Sequence, residues 1–223
     1  MPTSTVENYL KTIHSLADGK DTKHLVPVGK VAEHLGLTPG SATTMMKHLE
    51  QAGYVNYAPR KGVRFTREGR TAARKVLRRH RLIELFLVEV MKLDWSQVHE
   101  EAEILEHAFS DRLIERIDEM LGRPDYDPHG DPIPDQNGVM PARDLIPLPE
   151  CPEGKCQLVR VTREDPETLR WLQQRGMTPG ARFDLVSKNE LAGVFAIVTS
   201  AGQSISIGIS LAECLWVAKK RGV

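Results

Sequence analysis

The sequence predicts a mainly α protein with a smaller β portion, made of an N-terminal winged helix-turn-helix, two long amphipathic helices and a C-terminal antiparallel barrel. Three observations carry this. Apolar residues recur at helical spacing in the N-terminal part, a helix, a short turn and a helix lead into a two-stranded pattern with a basic tip, and beyond a proline-dense stretch the apolar pattern changes to alternation with glycine breaks. A chain of 223 residues exceeds the usual single-domain size and suits two or three modules.

In order, Val6, Leu10, Ile13 and Leu16 recur every three to four residues, and this first helix stops at Asp18-Gly19. A second reads from Val28 to Leu35 and closes at Gly36. Thr38 is a good N-cap and Pro39 suits the first helical position, where its missing N–H is not needed, so a third helix runs to Gln51 before Gly53. Tyr54 to Phe65, with Pro59-Arg60-Lys61-Gly62 at its centre, reads as a β-hairpin wing. Helices follow over Glu68 to about Met91 and Trp95 to Leu121. Arg123 to Pro152 is dense in proline and reads as an extended linker. Strands are predicted over Gln157–Val161, Arg182–Val186, Val194–Thr199, Ser204–Ile209 and Leu215–Ala218, with one helix from about Pro166 to Arg175. The corresponding boundaries are 1–73 for the winged helix, 74–140 for the helical part, 141–154 for the linker and 155–223 for the barrel.

Hydrophobic residues make up 40% and charged residues 27%, the proportions of a soluble globular protein. No apolar run reaches the ~18 residues of a membrane span, and MPTSTVENYL lacks the basic flank and apolar core of a signal peptide. A cytoplasmic chain is expected, with no membrane partner. Three cysteines are an odd number and argue against a disulfide framework. Cys151 and Cys156, separated by four residues with no CxxC pair and no nearby histidine, read as incidental thiols.

The zero net charge hides a division. Residues 1–80 hold 14 Lys+Arg against 6 Asp+Glu, residues 81–127 hold 5 against 13, and the remaining 96 residues hold 11 of each. A basic N-terminal part suits a polyanion and the acidic part behind it could hold cations, although two solvated helical faces of opposite sign would show the same balance.

In a helix-turn-helix the second helix enters the major groove with its N-terminal residues at the base edges. Here those are Thr38, Pro39, Gly40, Ser41, Thr43 and Thr44, small enough for close approach, with Lys47 one turn on for a phosphate. Arg60, Lys61 and Arg64 on the wing would contact phosphates or the minor groove. Ala42, Met45, Met46 and Leu49 face inward. Winged helices also serve as protein-interaction modules; the basic balance favours double-stranded DNA.

His99, Glu103, Glu106 and His107 are spaced so that they lean toward one helical face, and the preceding helix offers His80 and Glu84 at i, i+4. Carboxylates on one stripe repel unless a cation compensates. One such pair is usually a surface pair; two adjacent helices carrying the pattern point to a metal.

Arg79-His80-Arg81-Leu82-Ile83-Glu84 followed by Val98-His99-Glu100-Glu101-Ala102-Glu103-Ile104-Leu105-Glu106-His107 resembles the signature of the diphtheria toxin repressor family of iron- and manganese-dependent regulators, and most resembles its manganese-responsive branch. The likeness extends over nearly the whole chain, including His129-Gly130-Asp131-Pro132-Ile133-Pro134 and the C-terminal region, similar to the family's SH3-like (FeoA-like) domain. It implies a homodimer formed through the helical part, and a metal-dependent repressor of metal-uptake genes that binds a palindromic operator. It further implies a primary, activating site at Asn8, Glu103, Glu106 and His107, and a second at His80, Glu84 and His99 completed by Asp165 from the C-terminal domain, with Asp127 and His129 as linker ligands. Iron-type members carry a cysteine at the Glu103 position and a methionine at that of Asn8; manganese-type members usually have a carboxylate at the latter. The oxygen and nitrogen donors favour Mn(II), with Fe(II) as the second candidate, and two ions per subunit are expected. By the same resemblance, metal joins the first helix to the acidic helix so that two recognition helices match major grooves roughly 34 Å apart. No small-molecule substrate is expected. The competing readings are a metal-independent DNA-binding or scaffold protein and, with no nucleophile motif to support it, a metal-dependent hydrolase.

Overall fold

A computed structural model of the chain describes residues 3–17 and 24–218, in which the backbone forms two units, Met1–Arg79 with Pro134–Val139 and His80–Ile133 with Met140–Val223. The expected helix stop at Asp18-Gly19 lies outside the described residues.

The first unit holds α1 (Ser4–Ala17), α2 (Val28–His34), α3 (Pro39–Gln51), the hairpin β1 (Val55–Ala58) and β2 (Gly62–Phe65), and the N-terminal part of α4 (Arg67–Glu89). In its core Val6, Leu10 and Ile13 from α1, Val31 from α2, and Ala42, Met46 and Leu49 from α3 pack with Val55, Val63 and Phe65. α3 begins as expected, with Pro39 in the first turn and the Ser41 amide donating to Thr38 Oγ1 at 3.2 Å. Val26 forms an isolated antiparallel bridge with Val63, which ties the segment before α2 to the hairpin. Gly69 enters α4 so close to the previous turn that a Cβ would lie 1.7 Å from the Tyr54 carbonyl oxygen. Only glycine allows that approach.

The second unit takes the C-terminal part of α4, then α5 (Val98–Leu105), α6 (Asp111–Met120), β3 (Leu145–Pro147), a 3-10 turn (Leu148–Glu150), β4 (Gly154–Val161), α7 (Pro166–Gln173), β5 (Arg182–Asn189), β6 (Val194–Thr199), β7 (Ser204–Gly208), α8 (Ile209–Ala212) and β8 (Leu215–Ala218). The helices enclose Leu82, Ile83, Leu87, Val98, Ala102, Ile114 and Ile117. The strands form one antiparallel sheet in the order β3-β8-β4-β5-β6-β7, with Leu158, Leu169, Leu185, Ile197 and Val217 in its core.

Two expectations are corrected. The helix foreseen over Trp95 to Leu121 is two, because the Ser110 side chain accepts from the Leu113 amide and starts α6 afresh after a turn at residues 106–109. The stretch foreseen as an extended linker contains β3, paired with β8, and a buried turn around Asp127, His129 and Asp131. Proline did not prevent pairing because β3 is an edge strand, where a missing N–H leaves no partner unsatisfied.

Candidate metal centre and nucleic-acid interface

α4 places His80 and Glu84 one turn apart and α5 places His99 and Glu103 likewise, each pair at i, i+4. In the second unit these side chains converge. His80 Nε2 lies 2.9 Å from Glu84 Oε1 and 3.2 Å from His99 Nδ1, which is itself 3.2 Å from Glu84 Oε1. His80 Nδ1 faces Glu106 Oε2 at 2.6 Å, and His99 Nε2 lies 3.5 Å from Glu103 Oε1. His80, Glu84 and Glu106 are buried, at 5%, 1% and 0% exposure. Burying ionised groups costs several kcal/mol each unless charge and hydrogen bonds compensate.

The Pro-rich turn supplies a second set of donors. Asp127 Oδ1 accepts from the His129 and Asp131 amides, both at 2.9 Å, which orders the loop. Gly130 at φ 86° brings the backbone against β4, where a Cβ would meet the Val159 carbonyl at 1.9 Å, and the Val161 amide donates to the His129 carbonyl at 2.9 Å. His129 is fully buried and stacks on Trp95 at 5.4 Å between ring centroids. Its Nε2–H donates to the Trp95 carbonyl oxygen at 3.0 Å, which leaves Nδ1 as the other ring nitrogen. That atom has no hydrogen-bond partner and faces Glu84 Oε2 at 3.9 Å.

Three imidazoles surround Glu84, with His80 Nε2 and His99 Nδ1 at Oε1 and His129 Nδ1 facing Oε2. Imidazole nitrogens and carboxylate oxygens at this spacing are a set that a cation can take, and Glu106 and the Trp95 carbonyl hold the far nitrogens of His80 and His129, as outer partners of metal-ligating histidines do. Three overlapping groups of ligand atoms lie within 4.8 Å: His80, His99 and Glu103; Glu84, His99 and Glu164; Glu84, Asp127 and His129. None includes sulfur.

The electrostatics agree. Burial works to raise the Glu84 carboxyl, but the charge of His80 and hydrogen bonds from His80 and His99 outweigh it and hold the group well below the usual range. Burial together with the nearby Asp131 and Glu84 charges pushes Asp127 well above it, only partly offset by Arg81 at 3.6 Å. The hydrogen bond to Glu84 raises His99 against its burial, and burial with the Glu84 charge raises Glu164.

Asp165, the expected carboxylate from the C-terminal region, is placed otherwise. It is the N-cap of α7, accepting from the Thr168 amide at 2.9 Å and pairing with Arg163 at 3.4 Å. Its neighbour Glu164 faces the cluster, with Oε2 3.2 Å from His99 Nδ1. Asp165 followed by Pro166 carries a local signal for a helix start, which the expectation of a ligand there passed over. Glu164, Trp95 and Arg81 carry no such local signal. His107 Nε2 lies 3.5 Å from Glu106 Oε1, and Asn8 is on α1 in the first unit.

In the first unit, Thr38, Pro39, Gly40, Ser41, Thr44 and Lys47 are exposed on α3 and Thr43 is half-buried. Thr43 and Thr44 donate their hydroxyl hydrogens to the carbonyls of Pro39 and Gly40, at 2.7 and 3.1 Å, which leaves their methyl groups and oxygen lone pairs for a ligand. Arg60, Lys61 and Arg64 are exposed on the wing, with Arg60 in the left-handed region at φ 64°. Met45 is half-buried against the core, consistent with an inward position.

Comparison with known proteins identifies the domains to which these regions belong. Residues 1–63 match the family model "Iron dependent repressor, N-terminal DNA binding domain", residues 66–135 match "Iron dependent repressor, metal binding and dimerisation domain", and residues 146–219 match "FeoA domain". The chain is 32% identical to the diphtheria toxin repressor of Corynebacterium glutamicum over 98% of its own length and 97% of that protein. It is 28% identical to the iron-dependent repressor IdeR of Mycobacterium leprae, over 96% and 97%. A solved manganese-dependent transcriptional repressor in complex with manganese superposes with a TM-score of 0.87 at 36% identity, covering 96% of this chain and 99% of that one. ScaR with bound Zn2+ gives 0.82 at 28%, covering 98% and 100%. Among the described residues no helix is long and apolar enough to cross a membrane. This chain belongs to the diphtheria toxin repressor family of metal-dependent, DNA-binding transcriptional repressors, which are not enzymes.

Proposed function

We propose that the protein is a manganese-responsive repressor, with Fe(II) as the second candidate ion, that as a homodimer binds a palindromic operator and controls metal-uptake genes when loaded with two ions per subunit. The observation that carries the metal reading is the convergence of the His80, His99 and His129 imidazoles on the buried Glu84 carboxylate. His80, Glu84, His99, Asp127, His129 and Glu164 would hold one ion. The activating set implied by the resemblance, Asn8 with Glu103, Glu106 and His107, is retained for the other.

The all-oxygen and imidazole donor set supports manganese, since thiolates would draw softer ions. The manganese complex of the similar repressor supports the same reading. Ile104, Leu113 and Met120, exposed by 68%, 51% and 55% on α5 and α6, suit a face covered by a second copy. The protein stays in the cytoplasm, where the operator is.

A mobility shift on promoter DNA with Mn(II), Fe(II), Zn(II) and chelator tests the reading. Retardation is expected with Mn(II) and its loss with chelator; equal retardation in every lane would overturn metal dependence. Metal content per subunit, measured on wild type and on Glu84→Gln, tests the ligand set separately from DNA binding.

A further inference from the structure

Cys151 and Cys156 are brought together by a turn whose composition explains the approach. Cys151 ends the 3-10 turn Leu148–Glu150, Pro152 follows, and Gly154, at φ 117° in a region that favours glycine, returns the chain into β4. Cys156 is fixed in that strand opposite Phe183. The two sulfurs lie 3.2 Å apart in the apolar core of the second unit, with the residues 2% and 8% exposed. Cys151 Sγ also donates to the Pro152 carbonyl at 3.4 Å and Cys156 Sγ to that of Gly154 at 3.3 Å. Closing to the roughly 2.05 Å of a disulfide asks for an approach of about 1 Å.

A metal is a poor occupant for the pair. Among the described residues no histidine or carboxylate joins the two sulfurs in a ligand group, and two thiolates alone do not complete a tetrahedral site. The third cysteine is differently placed: Cys214 is half-exposed, with Sγ donating back to the Ser210 carbonyl at 3.3 Å.

We propose that Cys151 and Cys156 are a dithiol that hydroperoxides oxidise to a reversible intramolecular disulfide. The more exposed Cys156 thiol attacks the peroxide oxygen, the O–O bond breaks, and sulfenic acid and one water (from hydrogen peroxide) result. The Cys151 thiol then attacks that sulfur, forming the S–S bond and releasing a second water. Two thiols lose two electrons and the peroxide gains them. An external thiol reverses the step by exchange.

Lys155 lies between the two cysteines, so trypsin separates them and a disulfide shows as two joined peptides. The test treats the full-length, manganese-loaded protein with hydrogen peroxide, denatures it in iodoacetamide and maps the peptides by mass spectrometry. The expected result is a fall from three alkylated cysteines to one, Cys214, with joined peptides carrying Cys151 and Cys156, and recovery of all three in dithiothreitol. Cys214→Ser should leave the crosslink intact, and the oxidised protein should melt roughly 5 °C higher. Three alkylated cysteines after oxidation, a crosslink through Cys214, or sulfinic acid at Cys156 beside an alkylated Cys151 would each overturn the proposal. The wild-type measurement decides this even if Cys151→Ser folds poorly, and it is independent of metal or DNA binding.

Discussion

The recognition helix and wing of the first unit and the histidine–carboxylate cluster of the second are both rich in ionisable or hydrogen-bonding groups, but they hold them in opposite ways. On α3 and the wing nearly all of those groups are exposed, outside a core built mainly of apolar side chains. In the cluster, His80, Glu84, Glu106, Asp127 and His129 are buried among one another. The first region keeps its charges in water. The second buries carboxylates near one another, with Asp127 raised by burial and by the Asp131 and Glu84 charges, so ligand and stability should be coupled there. DNA should change the folding free energy mainly by binding; metal should also relieve a cost built into the fold.

The sharpest way to break this contrast is Glu84→Ala. Glu84 reaches His80 and His99 with one oxygen and faces His129 with the other. Even outer partners of metal ligands are worth about 10–100-fold in affinity, so manganese affinity measured by calorimetry should fall by roughly 100-fold or more. Unchanged affinity would remove the cluster from the metal reading.

Stability should follow metal next. At a free concentration about 100 times the dissociation constant a bound ion adds about 2.7 kcal/mol, so chelation should lower the melting temperature by roughly 5–10 °C. The pH dependence of the metal-free protein has a definite sign. Asp127 is raised when folded, so its ionisation costs stability as pH climbs toward neutrality. His99 is also raised, and the stability it contributes is complete below its ordinary value and lost as pH rises through the folded one. Glu84, held low, stays ionised in this window; its contribution is lost only as pH falls through its depressed value. The metal-free protein should therefore melt higher at mildly acidic than at mildly alkaline pH, and manganese should reverse the trend because ligation competes with protons. Asp127→Asn should raise the metal-free melting temperature by a few degrees while weakening manganese binding. A fall in both would show that the Asp127 charge is not the source of the cost.

Adjacent carboxylates separate ligand from cap. Glu164→Gln should lower manganese affinity with little change in metal-free stability. Asp165→Ala should cost about 1 kcal/mol as a lost cap, or roughly 2–4 °C, and leave metal content unchanged. The reverse pattern would restore Asp165 as the ligand. The smallest effect belongs to the wing: removing Arg60 or Lys61 should weaken all DNA sequences alike and reduce the slope of log affinity against log salt by about 1 for each phosphate that is no longer neutralised. Melting temperatures should not move.

Much of this was legible in the sequence because it is local. Thr38-Pro39 announced α3, the i, i+4 pairs on α4 and α5 announced a cluster, and the Pro-Arg-Lys-Gly tip announced a wing. The break at Ser110 was local too, but the apolar spacing continued across it and hid it. Between Glu164 and Asp165 the cap was readable, while the direction of Glu164 depends on how β4 ends beside α5.

The sequence by itself determined the order of the elements, the exposed nucleic-acid surface and the identity of most candidate ligands, since periodicity and capping act over one or two helical turns. Tertiary structure alone decided which donors meet. It brought His129 from a proline-rich turn to Glu84 on α4, turned Glu164 toward His99 while Asp165 caps α7, and set Cys151 against Cys156. The first of these depends on a backbone approach that only glycine permits, at Gly130 against β4, and the last on a turn through Gly154 at a positive φ that favours glycine. Side chains far apart in sequence become one site only when such contacts fix their directions.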